Sequence, residues 1–176
     1  MIGIMSDSHD NCHALKKAVM FFNSAKCNLV IHAGDFIAPF AAKKLEELNC
    51  PVKAVFGNCD GEKQGLRKAF KSIGTIKEEP LKFTYKGVKF LVTHTHFKVP
   101  EYKATGDYDV IIYGHTHKPK ISKDLQTLII NPGEAGGWLT GKLSVALLSL
   151  KDLRAEIVNL WGLRQSIFID RVNLNL

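Results

Sequence analysis

Short, β-branched apolar runs alternate with longer amphipathic stretches through the first half of the chain. The runs predict strands at Ile2–Met5, Leu29–His32, Val52–Phe56, Val88–Thr93 and Val110–Tyr113. Helices are predicted at Cys12–Ser24, Ala38–Leu48 and Gly65–Ser72. In the first of these, Leu15, Val19 and Phe22 fall at i, i+4 and i+7 and make one apolar face. Asp10 or Asn11 is placed to cap it. Runs this apolar, alternating with helices, predict an α/β fold whose sheet is covered on both faces.

The second half changes character. Leu81–Tyr85, a Lys86-Gly87 turn and Val88–Thr93 read as a hairpin. Lys120–Lys123 and Thr127–Ile130 pair around Asp124-Leu125-Gln126, and Leu143–Leu150 pairs with Ala155–Leu160 through Lys151-Asp152. A parallel first half followed by antiparallel pairs predicts two sheets packed together with helices outside. One domain is expected over residues 1–160. Residues 161–176, with Trp161, Leu163, Ile167, Phe168, Val172 and Leu174 scattered along them, are expected to form a C-terminal tail. Such a tail would cover an apolar face or join a subunit contact, as in a homodimer.

Composition narrows the class. At 176 residues and 45% hydrophobic, the chain is long enough for a substantial core and too apolar for disorder. No apolar run approaches the roughly 18 residues of a membrane span, and the N-terminus lacks the basic region of a signal peptide, so a cytoplasmic protein is expected. The net charge of +7 favours anionic partners, but the lysines are scattered and no nucleic-acid-binding motif accompanies them. Cys12, Cys27, Cys50 and Cys59 form no CxxC pair and are expected as free thiols.

The chemistry lies just after the strands. Ile2–Met5 runs into Asp7 and His9, Leu29–His32 into Gly34-Asp35, and Val52–Phe56 into Gly57-Asn58. Val88–Thr93 runs into His94, and Val110–Tyr113 into His115 and His117. The carboxyl ends of strands open onto the ligand crevice of an α/β sheet, so these endings can converge. Each alone reads as a cap, a turn or a hydrogen-bonded structural residue. Together they offer two carboxylates, four imidazoles and an amide. Independent turns have no reason to place those types after every strand. Mixed imidazole and carboxylate shells suit transition ions rather than calcium or magnesium. Seven ligands exceed one tetrahedral ion but suit two ions sharing a carboxylate, the arrangement used for displacement at phosphorus.

These blocks resemble the calcineurin-like metallophosphoesterase superfamily, whose pattern is D-x-H, G-D, G-N-[HN]-[ED], H and G-H-x-H. Here they read Asp7-Ser8-His9, Gly34-Asp35, Gly57-Asn58-Cys59-Asp60, His94 and Gly114-His115-Thr116-His117, in that order. The small size, the Ser6-Asp7-Ser8-His9 opening and Asn131-Pro132-Gly133-Glu134 resemble its compact YfcE-like phosphodiesterases. The resemblance implies a metallo-dependent phosphatase-like four-layer α/β/β/α sandwich, with two mixed sheets flanked by helices. It implies one ion held by Asp7, His9, Asp35 and His117 and a second by Asp35, Asn58, His94 and His115. Asp35 would bridge them and position the nucleophile. The ions would be divalent transition metals, manganese first, with nickel, iron, cobalt or zinc as alternatives. Water activated between them would hydrolyse a small-molecule phosphate diester.

Two positions depart from the pattern. Cys59 stands where many members carry a histidine that assists the leaving group, and a thiol is a poor replacement. His96, two residues beyond His94, could serve as the acid or contact substrate. Asn58 and Asn11 could also touch a phosphate oxygen, although Asn11 serves equally well as a helix cap. His32 reads as structural. Two other functions compete: a phosphomonoesterase, and a retromer-subunit-like scaffold with vestigial metal binding. Monoester phosphatases commonly add arginines to hold the dianion, and none of Arg67, Arg154, Arg164 and Arg171 lies in a motif block. A scaffold can lose ligands without harm, whereas all seven positions are filled here.

Overall fold

The computed structural model describes residues 1–161 and the two-residue strand Arg171–Val172. Along the chain, β1 (Ile2–Met5), β2 (Leu29–His32), β3 (Val52–Val55) and β4 (Gly74–Lys77) lie side by side and parallel. The helices α1 (Cys12–Ser24), α2 (Pro39–Ala42) and α3 (Lys63–Ile73) connect them. A second sheet holds β5 (Leu81–Tyr85), β6 (Val88–Val92), β7 (Val110–Ile112), β8 (Lys120–Asp124) and β9 (Thr127–Asn131) in the order β5-β6-β7-β9-β8, with α4 (Val99–Ala104) between β6 and β7. The last hairpin, β10 (Ser144–Ser149) and β11 (Arg154–Asn159), returns to the first sheet. There β10 runs antiparallel to β1, and β12 (Arg171–Val172) lies beyond β11 at the edge. Both sheets are therefore mixed.

Strand alternation distributes the core. Ile2, Ile4, Leu29 and Ile31 face Phe90, Val92, Val110 and Ile112 between the sheets. Met5 and Val30 point the other way, onto Leu15, Val19 and Phe22 of α1. Burying each of these large side chains stabilises by about 1.5–3 kcal/mol. Leu91, Ile111 and Ile129 of the second sheet face outward, where Val99 and Tyr102 of α4 cover them. The four expected layers are present. Asn11 caps α1, its Oδ1 accepting from the Ala14 N–H at 3.1 Å.

The stretch 38–48 is not one α-helix. Pro39 opens a single turn, Lys43–Glu47 tightens to 3₁₀, and Asn23 stops it by donating to the Glu47 carbonyl and accepting from the Asn49 N–H. The edge strand β4 and the short α4 had no periodic signal: β4 buries only Ile76, and α4 buries no residue fully. All four cysteines are free. The expectation of a packing or subunit-contact tail falls on residues that, Trp161 and the strand β12 aside, lie outside those described. Among the described residues no helix is long and apolar enough to cross a membrane.

Candidate metal centre

Parallel strands β1, β2 and β3 of one sheet and β6, β7 and β9 of the other end at the same edge of the sandwich. Beyond β1 the backbone stays zipped to the segment after β2. Asp7 N–H donates to the Gly34 carbonyl at 3.0 Å, His9 N–H to Asp35 at 3.1 Å and Asp10 N–H to Phe36 at 3.0 Å. Gly114 N–H donates to the His94 carbonyl at 3.0 Å, tying β7 to β6. Asp7, His9, Asp35, His115 and His117 all have left-handed backbone, with φ between 42° and 67°. Such conformations cost on the order of 1 kcal/mol or more for a residue with a side chain and persist where the surroundings enforce them.

Both expected quartets are drawn together. In the first, His9 Nε2 lies 4.0 Å from Asp7 Oδ1 and 3.7 Å from Asp35 Oδ2, and His117 Nε2 lies 3.6 Å from Asp7 Oδ1. In the second, Asn58 Oδ1 lies 2.8 Å from His94 Nε2 and 2.9 Å from His115 Nδ1, and His94 Nε2 lies 3.3 Å from Asp35 Oδ2. One oxygen, Asp35 Oδ2, faces both groups. Atoms bound about 2.1 Å from one ion stand roughly 3–3.5 Å apart. The observed separations bracket that spacing. His9 Nε2 is buried with no hydrogen-bond partner, an arrangement that burial penalises unless a cation completes it. The donors therefore fit two adjacent divalent ions. Two further clusters cut across these quartets, Asp7 with Asp35 and His94, and Cys59 with His9 and Asp35.

Electrostatics agree. Burial pushes the Asp7 carboxyl up, partly offset by His94. Burial acts on Asp35 too, but His94 and the Cys59 N–H, which donates to Oδ1 at 2.8 Å, outweigh it and hold the carboxyl at about 2. Asp35 is thus anionic at any physiological pH. The Cys59 thiol is raised to about 11 by desolvation and by neighbouring Asp35.

His96 sits beside His115, ring centroids 5.7 Å apart, with a buried, unpartnered Nδ1. Asn11 commits both ends of its amide to backbone, Oδ1 to the cap of α1 and Nδ2 to the Gly136 carbonyl at 2.7 Å. His32 is fully buried, bonded to Ser8 Oγ and the Gly34 N–H and stacked on Phe36.

Residues 1–153 match the calcineurin-like phosphoesterase superfamily domain. The chain belongs to that superfamily. It is 40% identical over 151 residues to phosphodiesterase MJ0936 of Methanocaldococcus jannaschii, covering 84% of this chain and 91% of the relative. Phosphodiesterase YfcE of Escherichia coli K12 is 28% identical over 142 residues, covering 73% and 75%. A solved archaeal phosphodiesterase superimposes with a TM-score of 0.84 at 37% identity, covering 90% of this chain and 98% of that one.

Three carboxylates had no role assigned from sequence; two of them clamp loops that carry candidate donors. Asp60 accepts the N–H groups of Asp35 (3.1 Å), Phe36, Ile37 and Gly57 (2.7 Å each). Glu79 accepts from His94 N–H, Thr95 N–H and the Thr93 hydroxyl. Glu134 gathers the turn after β9. Asp60 and Glu134 stand inside the motif blocks; Glu79 stands in none, although extending the predicted hairpin, in which Leu81 pairs with Val92, places it opposite His94.

Proposed function

We propose that this chain is a metal-dependent phosphodiesterase that hydrolyses small-molecule phosphate diesters. One observation carries the reading: Asp35 Oδ2 stands between two histidine-bearing groups, 3.7 Å from His9 Nε2 and 3.3 Å from His94 Nε2. The ligands would be Asp7, His9, Asp35 and His117 for one ion and Asp35, Asn58, His94 and His115 for the other. When bound, a pair of divalent cations acidifies water and neutralises charge growing on the phosphoryl oxygens. The protein's part is to hold the donors in register. Asp35, anionic and fixed by Cys59 N–H, would orient the attacking oxygen, while Asn58 Oδ1 and His115 Nδ1 meet at 2.9 Å within the second donor group.

The diester preference rests on charge. Arg67 is engaged by Glu78 at 2.8 Å and lies over the Phe56 ring, and Arg154 is on β11. No described arginine reaches the donors to hold a dianionic monoester. Names of the relatives, both phosphodiesterases, support the same choice.

The test is hydrolysis of bis-p-nitrophenyl phosphate and p-nitrophenyl phosphate after chelation and after add-back of manganese, nickel, cobalt, iron or zinc. Chelation abolishing diesterase turnover and manganese restoring it is the expected result. Faster monoester turnover would favour the phosphomonoesterase. No turnover with any metal would favour a scaffold.

A further inference from the structure

Glu134 is fully buried at the end of Asn131-Pro132-Gly133-Glu134. Its Oε2 accepts the Thr140 N–H at 3.0 Å, the Thr140 hydroxyl at 2.9 Å and the Leu139 N–H at 3.2 Å. Its Oε1 accepts the Leu139 N–H at 3.0 Å and lies 3.3 Å from His117 Nδ1. That nitrogen is buried and forms no hydrogen bond to any group, Glu134 facing it without yet meeting hydrogen-bond geometry. The other ring nitrogen, Nε2, faces Asp7 Oδ1 at 3.6 Å, on the side of the first donor group. An imidazole can offer an Nε2 lone pair only while its proton sits on Nδ1, and the group facing Nδ1 decides where the proton sits.

We infer that Glu134 is a positioning residue for His117, its Oε1 accepting the Nδ1 proton so that Nε2 is presented as a lone pair to the first cation. The inference rests on the reading of Asp7, His9, Asp35 and His117 as a cation site. Glu134 also organises its own turn, from which Gly136 N–H reaches the Asp7 carbonyl and the Trp138 indole reaches the His9 carbonyl at 2.9 Å. A purely structural role must therefore be separated from a positioning one.

Glu134→Gln separates them. The Thr140 N–H and hydroxyl and the longer branch of the shared Leu139 N–H converge on Oε2, so the amide oxygen stays there and the turn keeps its Thr140 bonds, losing only the Leu139 branch to Oε1. The amide nitrogen is then left at the Oε1 position, facing Nδ1. A donor there makes Nδ1 the acceptor and moves the proton to Nε2, blocking the lone pair. Glu134→Ala removes turn and partner alike.

The experiment combines imidazole ¹⁵N spectra of metal-free protein, calorimetric titration with manganese and thermal melts. Wild type is expected to show the Nδ1–H tautomer at His117 and two manganese sites. Glu134→Gln is expected to show the Nε2–H tautomer, a melt close to wild type, and one site weakened about 10–100-fold. Glu134→Ala is expected to melt lower. A wild-type tautomer and affinity in Glu134→Gln would overturn the inference. So would equal losses of melting temperature and affinity in both variants. If wild type bound no manganese, the cation-site reading would fall, while the spectra would still decide whether Glu134 sets the tautomer.

Discussion

Gly57 passes so close to Asp35 that its missing side chain is a condition of the site. A β-carbon built there would stand 2.1 Å from Asp35 Oδ1 and 2.5 Å from Asp35 N. Gly57→Ala forces the carboxylate back by roughly an ångström before the contact becomes ordinary. The retreat also breaks the bond that Cys59 N–H makes to Oδ1 at 2.8 Å. Overpacking of this kind costs about 1–3 kcal/mol, and the lost hydrogen bond about 1 kcal/mol more. For a domain of this size that lowers Tm by about 4–16 °C. Because the displaced group is the carboxylate proposed to be shared by both ions, an ångström of error should also lower kcat by about 10²-fold. The control is Gly61→Ala, four residues on, where a β-carbon would meet nothing within 4 Å; it should match wild type. The assays are differential scanning fluorimetry of metal-free protein and turnover of bis-p-nitrophenyl phosphate with saturating manganese. Gly57→Ala with wild-type kcat and melting would refute the claim that Asp35 must sit where it does.

Two further outcomes are expected. The Cys59 thiol, raised to about 11, is a weak proton donor, so Cys59→His should raise turnover of alkyl esters more than of p-nitrophenyl esters. An unchanged ratio, with metals bound, would count against leaving-group assistance at that position. Burial holds His32 well below its ordinary pKa, so it stays neutral when folded while the unfolded chain takes up a proton below about pH 6.5. Its contribution is present above that pH and lost as pH falls, at up to about 1.4 kcal/mol per pH unit. Urea unfolding of metal-free protein from pH 7 to 5 should show His32→Gln losing up to one proton of that slope; identical slopes would sink the assignment.

The candidate donors and their places after strands were legible because they are local: each strand and the His, Asp or Asn at its carboxyl end are neighbours in the chain. The core pattern was legible for the same reason, Leu15, Val19 and Phe22 sharing a helix face by spacing alone. Which hairpin joined which sheet was not. The β10–β11 and β8–β9 pairs have similar signals, and only packing against β1 or β7 separates them. The same limit hid the approach of Glu134 to His117, whereas Glu79 meets Thr93–Thr95 simply as the continuation of the predicted β5–β6 hairpin. Sequence alone determined the chemical inventory and the period of the central strands and of α1. Tertiary structure decided which atoms of that inventory meet, because the separations that matter, such as Asp35 Oδ2 to His9 and His94, join residues whose chain distance carries no information about contact.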